Sequence, residues 1–198
     1  MTNLIRAFIA IDLPEPLQQT IRLTQAGLKS AGLKMNWIRP EAIHLTLKFL
    51  GDIYEDEIRF IQQVMDDCVS RVPPVICLLK GVGVFPGIRK PRVFWVGLDG
   101  QTSELARMSL FLNEQIQRVT TNRILAETRP FKAHLTIGRI RSELDSPRLI
   151  AGLKQFGMLT SEPFTATEIH LYQSRLHPSG AVYTRLGTSR MMIDEVLP

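Results

Sequence analysis

Cysteine and histidine are both scarce in this chain of 198 residues, which has two cysteines, Cys68 and Cys77, and four histidines. Two cysteines are too few for a disulfide framework and lack the paired spacing of a zinc site, so a reduced, cytoplasmic protein is expected. No apolar run approaches the length needed to cross a membrane. The one at the start, Met1 to Asp12, is interrupted by Arg6, is shorter than a signal-peptide core and offers no cleavage-like site. A Gly-x-Ser-x-Gly elbow for a serine nucleophile is missing, and no Gly-rich loop precedes a helix to cradle a nucleotide phosphate. What is present is ordinary globular material. Hydrophobic residues at 44% and charged residues at 22% match folded domains, and the length suffices for a sizeable core. The net charge of +5 and pI near 9.5 favour phosphate-bearing partners mildly, although a basic solvated surface would look the same.

Local patterns alternate between strand and helix. Leu4 to Ile11 reads as a strand ended by Asp12-Leu13-Pro14, and Pro16 to about Ala31 as a helix carrying Leu17, Ile21 and Leu28, with Gly32 as its cap. Lys34 to Arg39 suits a short extended piece before Pro40. Helical spacing returns over Glu55 to Val72 and over Ser103 to Val119. Strands are predicted over Val75–Val84 and Arg92–Leu98, joined by a Pro-Gly loop that holds Arg89 and Lys90. A short helix opens at Ser146-Pro147, with the serine as cap. Strands over Phe164–Arg175 and Ala181–Gly187 then bracket a turn at His177-Pro178-Ser179-Gly180. Several strand pairs are joined by turns too short for a crossover. The expectation is therefore an α+β fold with antiparallel or mixed sheets and helices on their outer faces, as one two-lobed domain over 1–198.

The informative feature is a repeat. His44-Leu45-Thr46-Leu47 is written again ninety residues later (134 minus 44) as His134-Leu135-Thr136-Ile137, and Arg39-Pro40 falls on Arg129-Pro130 in the same alignment. On a strand, residues two apart share a face, so each His and Thr point one way while the aliphatic residues point into a core. A lone strand histidine is more often structural than catalytic; two matched copies reverse that balance. Two imidazoles and two hydroxyls converging on a cleft between two similar lobes form a metal-free reaction centre, with hydroxyls for an anion and imidazoles for protons. Phosphate is the natural anion. The remaining histidines, His170 on a strand and His177 in a turn, look structural or solvated and offer no close-spaced ligand pair for zinc.

These blocks resemble the two-histidine phosphoesterases, and among them the RNA 2',3'-cyclic phosphodiesterases known historically as 2'-5' RNA ligases. Arg6-Ala7-Phe8-Ile9-Ala10-Ile11-Asp12, the two His-x-Thr-x blocks with Lys48-Phe49-Leu50-Gly51 and Gly138-Arg139, Val93-Phe94-Trp95-Val96-Gly97 and Gly180-Ala181-Val182-Tyr183 carry the likeness over nearly the whole chain. One departure is Ala133, where the family often has proline. The resemblance implies two pseudo-symmetric lobes and hydrolysis of a terminal 2',3'-cyclic phosphate on RNA to a 2'-phosphate, with no cofactor and no metal. His134 would be the general base and His44 the acid, with Thr46, Thr136 and Arg139 on the phosphate. Reversal by a 5' hydroxyl would give 2'-5' ligation. Arg139 lies five residues after His134, so it can face the cleft only if the strand bulges, which Gly138 would permit. Phe49 is a candidate to stack a terminal base, with a place in the core as the preferred alternative. Arg89 and Lys90 would touch RNA backbone or simply be solvated. The expected partner is an oligonucleotide or tRNA-like RNA end, bound by a monomer away from membranes. Other readings are a non-catalytic binding module for nucleotides or RNA ends on the same fold, and a phosphodiesterase for a small cyclic metabolite.

Overall fold

The first strand, β1 (Leu4–Asp12), is buried at every residue from Ala7 to Ile11, so its middle is covered on both faces. It is seen in a computed structural model that describes residues 3–120, 123–124, 127–141, 145–177 and 180–192. The chain continues through α1 (Glu15–Ser30), β2 (Asn36–Trp37) and a 3-10 turn at Pro40–Ala42 into β3 (His44–Tyr54). Then follow α2 (Ile58–Val69), β4 (Val75–Phe85), β5 (Val93–Gly100), α3 (Thr102–Val119), β6 (His134–Arg139), α4 (Ser146–Gln155), β7 (Phe164–Ala166), β8 (Glu168–His177) and β9 (Gly180–Arg190).

These strands form two sheets, one ordered β3-β1-β8-β9 and the other β2-β6-β5-β4-β7. Every named pairing is antiparallel, so the α+β expectation holds and the choice between antiparallel and mixed sheets resolves to the former. Each sheet carries one copy of the repeat, β3 in the first and β6 in the second. The lobes are interleaved in sequence, because β1, β3, β8 and β9 enclose most of the second lobe's strands.

Three features tie the lobes together. Helix α2 packs on β8 and β9 of the first sheet and against α3, which touches β3 of that sheet and β4 of the other. The buried Gln25 amide on α1 donates to the Ile38 carbonyl at 2.8 Å and to the Ile137 carbonyl at 2.9 Å, holding the start of the first motif against the second. Buried aliphatic side chains from both sheets merge into one cluster that includes Leu45, Leu47, Leu135 and Ile137. No helix among the described residues is long and apolar enough to cross a membrane.

Three local expectations change. The run 164–175 is two strands broken at Thr167, with β7 joined to β4 in one sheet and β8 to β1 and β9 in the other. Its burial shows why: Phe164 and Ala166 are buried at even positions, Ile169 and Leu171 at odd ones, so one straight strand could not bury both sets. The cap of α4 is Asp145, whose carboxylate accepts from the Arg148 amide at 3.1 Å, and Ser146 is the first helical residue. His177 ends β8 opposite Gly180 instead of sitting in the turn; Pro178 and Ser179 lie outside the described residues.

Candidate active site

The alternation expected for both motifs is observed. Leu45, Leu47, Leu135 and Ile137 are buried in the core, while His44, Thr46, His134 and Thr136 are half-buried on the opposite face. Cross-strand pairs extend these faces. On the first sheet Asp12 lies opposite His44, Ala10 opposite Thr46 and Phe8 opposite Phe49. On the second, Gly97 lies opposite His134, Trp95 opposite Thr136 and Val93 opposite Arg139. Strands β3 and β6 also touch each other, so the two motifs adjoin across the lobe boundary.

Both strands carry an irregularity at the same motif position. The β1–β3 register slips at Leu47–Lys48 and the β5–β6 register slips at Ile137–Gly138. A slip of one residue exchanges faces. It brings Arg139 onto the face of His134 and Thr136, as the spacing required. Gly138 accommodates the slip beside Met35, whose Sδ would stand 2.3 Å from a Cβ at that position. The same device overturns the core placement preferred for Phe49. Lys48 turns inward, where its Nζ donates to Asn113 Oδ1 at 2.6 Å, and Phe49 is left 64% exposed on the cleft face, its ring 6.4 Å from Phe8.

The histidines are held identically. His44 Nδ1 lies 3.0 Å from the Ala42 carbonyl and His134 Nδ1 lies 2.6 Å from the Lys132 carbonyl, each two residues upstream. A carbonyl can only accept, so Nδ1 carries the proton in both rings and Nε2 is left to the cleft. Their walls differ. His44 stacks on Phe8 at 4.5 Å and meets Tyr183 edge-on at 5.2 Å. His134 meets Phe85 edge-on at 5.0 Å, next to Trp95, over whose ring the Lys132 ammonium sits at 4.4 Å.

Burial dominates the electrostatics. It pushes the His44 pKa down to about 4, with the Arg139 charge lowering it further, while the Ala42 carbonyl and the Asp12 carboxylate oppose the fall. Burial also lowers His134, where Lys132 contributes one raising and one lowering influence, through its carbonyl and its charge. The Arg139 charge acts on His44 although it is carried by a strand of the other sheet. Behind His44, Asp12 is fixed by Tyr172 at 2.7 Å and Arg185 at 2.8 Å.

His170 lies nearby but has a structural setting: it is buried, and its Nδ1 contacts Thr188 Oγ1 at 2.9 Å. His177 is exposed. Arg89 and Lys90 are exposed on the loop between Phe85 and Val93, and Val93 pairs with Arg139, so this basic loop stands at the Arg139 end of the cleft. Asp12, Phe8, Tyr183, Phe85 and Lys132 have no local sequence signal for a place in the site; strand register brings them there. No three His, Cys, Asp or Glu side chains among the described residues are grouped to hold a metal.

The family profile described as LigT-like phosphoesterase matches residues 11–95 and 110–183, a span that contains both motifs. The chain is a LigT-like phosphoesterase. Its relatives include an RNA 2',3'-cyclic phosphodiesterase of Methanothermobacter thermautotrophicus, 31% identical over 189 residues that make up 94% of this chain and 99% of the relative. A protein of the same name from Aeropyrum pernix is 30% identical over 81% of this chain and 88% of its own length. Among solved structures, TT0787 of Thermus thermophilus has a TM-score of 0.77 at 24% identity, covering 94% of this chain and 98% of its own. Escherichia coli LigT in complex with 3'-AMP has a TM-score of 0.74 at 23% identity, covering 96% of this chain and all of its own. These structures show that this phosphoesterase shares their fold. In this chain the two copies of the strand touch, and each carries an imidazole and a threonine on the face away from the core, with Arg139 one slip beyond the second pair.

Proposed function

We propose that this phosphoesterase opens terminal 2',3'-cyclic phosphates on RNA to leave 2'-phosphate ends, by proton transfer between two histidines without a metal or cofactor. The observation that carries the reading is the paired arrangement of His44 and His134, each with Nδ1–H given to a carbonyl and Nε2 free, beside an arginine brought across by a strand irregularity. The relatives' names supply the substrate class.

In this mechanism His134 Nε2 takes a proton from water as the water oxygen bonds phosphorus. The bond from phosphorus to the 3' oxygen breaks, and His44 Nε2–H protonates that oxygen. A 3' hydroxyl and a 2'-phosphate result. Thr46 and Thr136 hydrogen-bond the non-bridging oxygens, and Arg139 offsets the charge that builds on them. Phe49 stacks the terminal base, and Arg89 and Lys90 meet the RNA backbone. The assignment of acid and base follows the family resemblance; burial lowers both rings, His44 to about 4, and the Asp12 carboxylate opposes that fall while the Lys132 ammonium adds to the fall of His134. Run backwards with a 5' hydroxyl, the same steps join RNA through a 2'-5' bond. The reading carries with it a single-domain, monomeric protein of the cytoplasm.

The test is incubation of an oligonucleotide ending in a 2',3'-cyclic phosphate in the presence of chelator, followed by identification of the phosphorylated hydroxyl. A 2'-phosphate is expected, and His44→Ala or His134→Ala should each lower turnover by roughly 10²- to 10⁴-fold with the fold retained. A 3'-phosphate product, a strict metal requirement, or near-full activity of either variant refutes it.

A further inference from the structure

The cleft face of β5 does not stop at His134. Trp95, Gly97 and Asp99 alternate along it, and beyond Gly97, which pairs with His134, a groove of about 640 Å³ opens toward the start of α3. That volume is within the range of small-ligand sites. Gly97 lets the β4 backbone approach closely, since a Cβ there would meet the Lys80 carbonyl at 2.6 Å. Lys132 and Trp95 form the wall shared with the histidine, Lys80 and Asp99 the far wall, and Thr102 and Ser103 the end.

The charges in this groove are unequal. Asp99 is engaged by Lys80 and by the Gly100 amide, so those two opposite charges largely cancel. Lys132 instead lies over the rings of Trp95 and Phe85, and it has no carboxylate partner among the described residues. Thr102 and Ser103, which line the groove, belong to the first turn of α3, an 18-residue helix without a side-chain cap whose one acid there, Glu104, is paired with Arg107. Net positive charge, hydroxyl groups and an aromatic wall suit a nucleoside joined to a phosphodiester better than they suit a free metabolite.

We propose that this groove is a second ribonucleotide site, holding a nucleotide next to the one that bears the cyclic phosphate, with its phosphodiester against Lys132 and the first turn of α3. The inference rests on the function proposed above and adds that RNA is preferred to a single nucleotide. Two strands could supply the nucleotide: the one that carries the cyclic phosphate, or an incoming strand whose 5' hydroxyl stands in for water beside His134.

The test compares a nucleoside 2',3'-cyclic phosphate with a dinucleotide carrying the same end, in the natural protein and in Ser103→Glu. Glutamate is favoured in a helix's first turn, so the variant should fold, yet its carboxylate opposes a phosphodiester. The natural protein should show a roughly tenfold higher kcat/KM for the dinucleotide, the scale of one charge-assisted contact, and Ser103→Glu should abolish that preference while leaving the mononucleotide rate unchanged. In the second arm, a 5'-hydroxyl dinucleotide without a cyclic phosphate is added to the mononucleotide reaction. Inhibition of the natural protein that is lost in Ser103→Glu assigns the groove to an incoming strand; a lost length preference assigns it to the substrate strand. If the variant changes neither, the second site is refuted while hydrolysis of both substrates leaves the enzymatic reading standing. If neither substrate is hydrolysed, both fall.

Discussion

Binding of a phosphate anion should recharge His44. In the unliganded protein its pKa is held at about 4 by burial against Phe8 and Tyr183 and by the charge of Arg139. At pH 7 a group with that pKa is protonated in only about one molecule in 10³, too few for a general acid. A cyclic phosphate adds one negative charge beside the ring and occupies Arg139 at the same time. A unit charge about 4 Å away at an effective dielectric near 20 is worth roughly 4 kcal/mol, or about 3 pKa units. The bound-state value should therefore rise to roughly 7, where acid and base forms are both available. The chain's four histidines make the measurement direct, because each imidazole C–H can be assigned by NMR through a single His→Gln variant. Titration of the free protein should find His44 changing charge near pH 4, and titration of the His134→Gln variant saturated with a nucleoside 2',3'-cyclic phosphate, which carries the single charge used above, should move it up by about three units. A His44 that titrates at the same pH in both states refutes its role as acid and the reach of Arg139 across the cleft.

Two further outcomes follow from the same residues. Phe49→Ala should leave the melting temperature nearly unchanged, because the ring is 64% exposed, and should raise KM for RNA ends by roughly 5- to 100-fold, the value of one stacked base; a large loss of stability instead would return Phe49 to the core. Stability should fall as pH drops from about 6.5 toward 4, because the unfolded chain takes up the His44 proton first, while above 6.5 neither state is charged and the ring contributes nothing. The loss should approach about 3 kcal/mol, and urea unfolding at pH 4.5 and 7 should show the difference shrinking in His44→Gln; an equal difference in both proteins places its source elsewhere.

Much of this site was legible because period two is a strong signal. His44, Thr46, His134 and Thr136 needed only strand geometry and the repeat to be put on one face. Arg139 also yielded, since Gly138 marks where a strand can give way. Phe49 did not, because the matching irregularity at Leu47–Lys48 has no glycine, and only the pull of Lys48 toward Asn113 reveals it. The break at Thr167 was visible as a change of parity but not as a change of sheet, which depends on partners far away in sequence. The walls around the histidines were illegible for the same reason: Phe8 and Tyr183 reach His44 from strands whose order no local pattern encodes.

The duplication explains how one strand design serves opposite proton tasks. Both copies fix the imidazole through a carbonyl two residues back, and both slip register after the threonine, so the backbone is the same machine twice. What differs is the residue at each equivalent place. The slip is followed by an aromatic ring, Phe49, in one lobe and a cation, Arg139, in the other; opposite the first histidine is Asp12 where the second has Gly97, and two residues before the second is Lys132 where the first has Ala42. The Arg139 charge lowers the His44 proton affinity in the unliganded protein, and a bound phosphate should offset it. Once phosphate takes up its charge, Asp12 remains to favour a protonated His44 and Lys132 to favour a neutral His134. On the proposed mechanism, symmetry sets the positions of acid and base, and the substitutions that break symmetry decide which is which.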